Sequence, residues 1–272
     1  MENKHAINNI SLPRILFNHY TDANIEGEAF VSDHIFSYIV SGTHEIRIGG
    51  QLYSFKAGDY RFFRRNQLAA YVKKPSKEGF KSIAVHLDQG TLKEMSAENG
   101  GSSETNYVGA DVLLLNPNQY FDYYINSLTP YLNTQGWIPE KIKQLKAKEL
   151  VYILLQTNTL LKPALFDFNV PGKIDLEAFM NKHYRYNVGI DRFAFLTGRS
   201  VSGFKRDFEK QFNTTPGKWL VKKRLQEAYY LIEEKGKRPS DIYLDVGFND
   251  LSHFSYAYKK EFGNAPTKRN GN

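Results

Sequence analysis

Two segments in the last hundred residues, fifty positions apart, repeat one pattern and restrict this chain more than any other feature. The first runs from Gly198 through Phe204, Phe208 and Phe212 to Pro216; the second runs from Gly247 through Phe254, Tyr258 and Phe262 to Pro266. Aromatic side chains at i, i+4 and i+8 stack on one helix face, so each segment predicts a helix with a buried aromatic row. A short apolar segment precedes each one, Ile190 to Thr197 and Ser240 to Val246, and glycine closes it. Glycine takes the left-handed conformation that ends one helix and redirects the chain into the next. Each repeat is therefore a helix-turn-helix candidate. Between them, Gly217 to Lys235 reads as one linker helix with Trp219, Leu220, Leu225, Ala228, Leu231 and Ile232 as apolar positions. Its 19 or so residues would span roughly 28 Å. Recognition helices at its two ends suit successive major grooves, about 34 Å apart on one face of B-DNA.

On the first recognition helix Ser202, Lys205, Arg206 and Lys210 lie outside the aromatic row. They are small or cationic, as a helix pressed into a major groove requires. Ser202, Lys205 and Arg206 are the candidates for base contacts, with Arg206 able to make a bidentate bond to guanine. On the second helix Leu251, Ser252, Ser255 and Tyr256 occupy the corresponding face. Leu251 and Tyr256 suit thymine methyls or the backbone, and the near absence of charge points to reading by shape. Lys210, Lys222, Lys223, Lys259 and Lys260 are expected at phosphates, which position a protein on DNA without specifying sequence. Arg224 is either a contact or an internal residue paired with a carboxylate, and His253 is read as a packing residue.

The segment from Ile174 to about Arg269 resembles the DNA-binding region of AraC/XylS transcriptional regulators. The resemblance rests on Arg224-Leu225-Gln226-Glu227-Ala228 in the linker helix and on Gly247-Phe248-Asn249-Asp250-Leu251-Ser252-His253-Phe254-Ser255 in the second module. Lys259-Lys260 and Phe262-Gly263 with Pro266 complete it. The chain departs from that family's pattern at Tyr243, where a small residue is usual, at Tyr256, where arginine is common, and in lacking an aromatic residue after Pro266. The resemblance implies activation of transcription through contact with RNA polymerase.

Length and charge fit this division. The 272 residues suit two domains, read as 1–165 and 173–272 with a linker at 166–172 carrying Pro171 and Gly172. Residues 1–172 hold 17 Lys+Arg and 17 Asp+Glu, whereas residues 173–272 hold 19 and 12, so the net charge of +7 sits entirely in the last hundred residues. A basic domain joined to a neutral one is expected when only one half touches phosphates. The absence of cysteine excludes disulfides, cysteine metal clusters and thiol catalysis. The polar stretch Met1 to Asn9 lacks the apolar core of a signal peptide, and no apolar run approaches 18 residues, so a cytoplasmic protein with no membrane partner is expected.

The first half reads as a strand meander over His34 to Val40, Thr43 to Ile48, Gln51 to Phe55 and Tyr60 to Arg64, with further strands at Ala70 to Lys73 and Phe80 to Leu87. Ser41-Gly42 and Gly49-Gly50 punctuate the runs as turns. This meander predicts a small antiparallel barrel or jelly roll over 10–90. It resembles the cupin-like effector domain found ahead of the DNA-binding region in many AraC/XylS regulators. Asp88 to Asn106 reads as an exposed loop. Two helices follow within 116–161, the first opened by Asn116-Pro117 and the second by Pro139-Glu140. The second carries an apolar row, Ile142, Leu145, Leu150, Ile153 and Leu154, part of which is read as a dimer interface.

The fold class is therefore α+β: a cupin-like β-barrel followed by two helices, then an all-α domain of two helix-turn-helix motifs joined by a linker helix. The function expected is sequence-specific binding of double-stranded promoter DNA by a regulator, with no enzymatic activity and no cofactor. The N-terminal domain is expected to sense a small molecule or protein effector, to form a homodimer, or both. The alternative class is a metal-dependent cupin enzyme with an accessory basic domain; against it, His34, His44 and His86 are scattered and no His-x-His pair occurs. His44, on the strand face of Ile46 and Ile48, is read as a hydrogen-bonded interior residue lining a ligand pocket.

Overall fold

The computed structural model describes residues 12–21, 23–101, 107, 109–134 and 137–267. The polar Met1 to Asn9 stretch, Ser102 to Asn106 of the expected loop, and the terminal Lys268 and Arg269 lie outside them. The chain divides into two compact units, meeting between Asn169 and Val170.

In the first unit nine strands form two antiparallel sheets: β1 (Arg14–Tyr20), β2 (Ile25–Val31), β3 (His34–Ser41), β4 (Thr43–Ile48), β5 (Gln51–Lys56), β6 (Tyr60–Phe63), β7 (Gln67–Lys74), β8 (Phe80–Leu87) and β9 (Val112–Leu115). The sheets run β1-β8-β3-β6-β9 and β2-β7-β4-β5. The expected barrel thus takes the form of two sheets packed face to face, with Ile39, Phe63 and Phe80 of one meeting Ile46, Ile48 and Phe55 of the other. Gly49 and Gly50, both at positive φ, make the two-residue turn between Ile48 and Gln51 that matches strand twist.

The outer face of the five-stranded sheet is covered by helices. Phe36, Tyr60 and Phe62 pack with Phe121, Tyr124 and Leu128 of α2 (Gln119–Leu128) and with Leu150 and Leu154 of α3 (Glu140–Thr157). Burial on both faces explains why Tyr60 to Phe63 are four consecutive buried residues with no alternation. Ahead of α2, the stretch expected to be an exposed loop opens instead as α1 (Gln89–Glu98). Asp88 caps it by accepting from the Thr91 backbone and hydroxyl at 3.0 and 2.6 Å, and Leu92 and Met95 are fully buried. Helix α2 starts later than Asn116-Pro117, because Asn118 supplies the cap, accepting from the amides of Tyr120 and Phe121. Helix α3 ends at Thr157; Asn158 turns the chain into a short 3-10 turn and α4 (Lys162–Leu165). Phe166 is fully buried in the same core, and Arg65 donates to the carbonyls of Asp167 and Asn169 at 2.6 and 3.2 Å. The first four residues of the expected linker thereby hold to the first unit.

The second unit is helical: α5 (Leu176–His183), α6 (Ile190–Leu196), α7 (Val201–Phe212), α8 (Pro216–Tyr229), α9 (Pro239–Ile242) and α10 (Leu251–Phe262). Asp175 caps α5 through the Ala178 amide at 2.9 Å. The linker helix is not one uniform α-helix to Lys235; past Tyr229 it widens into a π turn over Tyr230–Glu234. No helix among the described residues is long and apolar enough to cross a membrane.

Candidate nucleic-acid interface

Each recognition helix is held by the same three devices. A glycine at positive φ makes the turn: Gly198 at +66° and Gly247 at +94°. A Cβ at Gly198 would lie 2.3 Å from the Gly172 backbone, and one at Gly247 would lie 2.2 Å from the Arg185 carbonyl oxygen, so both turns exclude any larger residue. A side-chain cap then starts the helix, Ser200 accepting from the Gly203 amide at 3.1 Å and Asp250 from the His253 amide at 2.6 Å. A left-handed residue, Asn213 or Gly263, ends it.

The aromatic rows face inward. Phe204, Phe208, Phe254 and Tyr258 are buried, Phe208 stacks on Phe212 at 4.3 Å, and Trp219 of α8 closes against both. The opposite face of α7 then presents Ser202, Lys205, Arg206 and Lys210 to solvent. The Arg206 side chain is 79% exposed, with its Nε 3.7 Å from Asp207. Asp207 is held chiefly by Arg199, whose Nε donates to it at 3.1 Å and keeps its carboxyl below the usual range. Arg199 also donates to the carbonyls of Ile174 and Thr197. It thereby ties the carboxylate neighbouring Arg206 to the helix-turn-helix scaffold. On α10, Leu251, Ser252 and Tyr256 are exposed and Ser255 is half-buried; Lys259 and Lys260 are exposed at its end. Lys222 is exposed, while Lys223 is half-buried over the rings of Trp219 and Tyr184. His253 is exposed and sits edge-on to Phe248.

Arg224 is buried, and its guanidinium donates to the carbonyls of Tyr184 and Tyr186 at 2.8 and 2.9 Å. On the same helix Glu227 accepts from Arg185 and from the Tyr184 hydroxyl. Because the Gly247 turn also passes beside the Arg224 guanidinium, that side chain joins the α5–α6 connection to the second module. The sequence left this arginine open between a contact and an internal residue, since its partners are carbonyls some 40 residues away.

In the first unit, His34, His44 and His86 stay apart, and no three metal-binding side chains come together among the described residues. His34 stacks on Phe62 and accepts from the Arg65 amide. His86 lies beside Arg14 and Asp33. His44 is buried between the sheets, its Nδ1 2.6 Å from Arg61, and burial followed by the charges of Arg61 and Lys73 pushes it down to about 2. Arg61, which sequence reasoning passed over, is the one charge in the apolar strand Tyr60–Phe63; that isolation was the available signal.

Comparison with known proteins gives two family matches: residues 34–162 match the ExsA N-terminal regulatory domain, and residues 193–269 match a helix-turn-helix domain. The chain is 24% identical to the thermoregulatory protein LcrF of Yersinia pestis over 241 residues, covering 85% of this chain and 86% of that one. It is also 24% identical to the virulence regulon transcriptional activator VirF of Yersinia enterocolitica over 229 residues, covering 80% and 82%. Among solved structures, an apo form of ToxT from Vibrio cholerae aligns over 94% of this chain and 96% of that one, at 11% identity and a TM-score of 0.49.

Proposed function

Because the chain belongs to the AraC/XylS family of DNA-binding transcriptional regulators, we propose that α7 and α10 read its operator in successive major grooves and that the bound protein activates transcription by contacting RNA polymerase. The observation that carries this reading is the outward face of α7. There Ser202, Lys205 and Arg206 stand exposed on a helix whose opposite face is locked by buried aromatics. Arg206 makes the bidentate contact, and Lys210, Lys222, Lys223, Lys259 and Lys260 hold phosphates. The second module, with Leu251, Ser252, Ser255 and Tyr256, contributes shape and methyl contacts.

The first unit receives the regulatory signal and pairs two copies. In support of pairing, Leu145 and Tyr152, seven residues apart on α3, expose 62% and 49% of their surface. Leu150 and Leu154 of the same helix are buried against the sheet and are unavailable to a partner.

Selection of bound sequences from random duplex DNA, followed by affinities for the winner and a scramble across a salt series, tests the proposal. A motif with two half-elements about one helical turn apart, preferred by roughly a thousandfold or more, is expected. Arg206→Ala should lower affinity for the winner by about 1–3 kcal/mol and leave the scramble nearly unchanged. Equal loss on both duplexes would refute base reading by α7.

A further inference from the structure

Both recognition helices open in the same way. Behind the cap, Ser200 on α7 and Asp250 on α10, each places a branched aliphatic residue and then a serine, Val201-Ser202 and Leu251-Ser252. These pairs stand fifty positions apart, as Phe204 and Phe254 do. Helical spacing sets Val201 and Leu251 three residues ahead of the first ring of each aromatic row, at the edge of the inward face. Phe204 and Phe254 are fully buried, whereas Val201 is 41% exposed and Leu251 38%. The difference arises because each helix begins at its aliphatic residue, which therefore stands at the leading end rather than within the packed row. The other exposed residues of α7 are Ser202, Lys205, Arg206, Glu209, Lys210 and Gln211, all polar or charged. Val201 is thus the one exposed apolar side chain on that helix.

The first residues of a recognition helix are those that reach base edges. An aliphatic side chain has no hydrogen bond to offer there, so it discriminates among bases only by apolar contact. The major groove presents one methyl group, on C5 of thymine. Valine and leucine at the leading ends of the two helices suit that group and gain by leaving water against it. One turn further on the helices diverge: Lys205 and Arg206 of α7 stand where α10 has Ser255 and Tyr256. Reading of guanine by a guanidinium belongs to α7 alone, whereas the aliphatic opening belongs to both.

We propose that Val201 is a further specificity-determining residue of α7, packing on a thymine methyl as Leu251 does on α10. The two half-elements of the operator then share a thymine at equivalent places and differ in the guanine met by Arg206. This assignment rests on the reading of α7 and α10 as base-reading helices.

The full chain is titrated against the selected operator and against duplexes in which single thymines are replaced by deoxyuridine, which removes the methyl group and keeps the base pair. The half-element read by α7 is the one whose guanine Arg206→Ala no longer distinguishes. In the wild type, one replacement in each half-element should lower affinity about fourfold, the effect of one methyl group losing its apolar partner. Val201→Ala should abolish that sensitivity in the α7 half-element and keep it in the other, and Leu251→Ala should show the reverse. Sensitivity kept in the other half-element shows that each variant is folded and bound in register, and the wild-type measurement needs no variant at all. Wild-type affinity unmoved by deoxyuridine throughout the α7 half-element, or an undiminished penalty in Val201→Ala, overturns the assignment while leaving base reading by Arg206 intact. A selection that yields no sequence preferred over its scramble overturns base reading itself, and this assignment with it.

Discussion

Replacing Arg224 with methionine separates a structural arginine from a DNA contact in this basic domain. The substitution keeps the apolar stem but leaves the carbonyls of Tyr184 and Tyr186 without their guanidinium donor, the second of them buried. An orphaned buried acceptor costs about 1–3 kcal/mol and loss of a part-exposed bond about 0.5–1.5 kcal/mol, so the pair predicts a loss of roughly 1.5–4.5 kcal/mol. For a unit of about 100 residues, each kcal/mol lowers the melting temperature by about 4–8 °C, giving a drop of at least about 6 °C. Trp219 is the reporter: its ring packs against Phe208, Phe212 and Tyr184, so its fluorescence follows the second unit. Trp137, in the first unit and 69% exposed, is changed to phenylalanine to remove its background. Urea unfolding of the Trp137→Phe protein with and without Arg224→Met gives the difference directly, and Arg206→Met serves as a control expected within about 0.5 kcal/mol of its parent. If Arg224→Met unfolds with its parent while operator affinity falls tenfold, Arg224 faces phosphate and the internal assignment is wrong.

Gly247→Ala should destabilise the second unit by more than about 2 kcal/mol, since the turn needs positive φ and the new Cβ would strike the Arg185 carbonyl. In a footprint on the selected operator, it should erase protection over one half-element and spare the other. Stability should also fall with acid. His34 and His44 are driven down to about 3 and about 2 by burial, so the unfolded chain binds their protons first and stability is lost as pH drops from about 6.5 toward those values. Each contributes a slope of about 1.4 kcal/mol per pH unit in that window, and urea midpoints at pH 7, 6 and 5 measure it. His44→Gln should remove one such slope; a flat profile in the wild type would contradict the buried neutral state of both rings.

The paired modules were legible in the sequence because helix faces, glycine turns and caps are set by residues within about a dozen positions of each other. Phe204, Phe208 and Phe212, or Asp250 and His253, carry their own geometry, and the surplus of Lys+Arg over the last hundred residues needs no contact map. Hairpin strands such as Thr43–Ile48 and Gln51–Lys56 were readable for the same reason. Where both faces of an element are covered, the alternation that assigns an inner and an outer face vanishes, as along Tyr60–Phe63, although the strand itself was readable. Where a helix inside a polar stretch buries only a few apolar residues, as α1 does with Leu92 and Met95, composition hides it. Long-range polar contacts were out of reach altogether. Arg224 and Arg206 are both arginines on helices of a basic domain; the carbonyls of Tyr184 and Tyr186 make the first internal, while the side chain of the second is 79% exposed. Likewise Arg61, His44 and Lys73 come from three strands in two sheets, and only the packing of one sheet on the other gathers their charges into one apolar interior. Periodicity therefore determined the elements and which faces are apolar. Tertiary structure decided which charges face solvent and which are buried, because burial depends on partners brought together from distant parts of the chain.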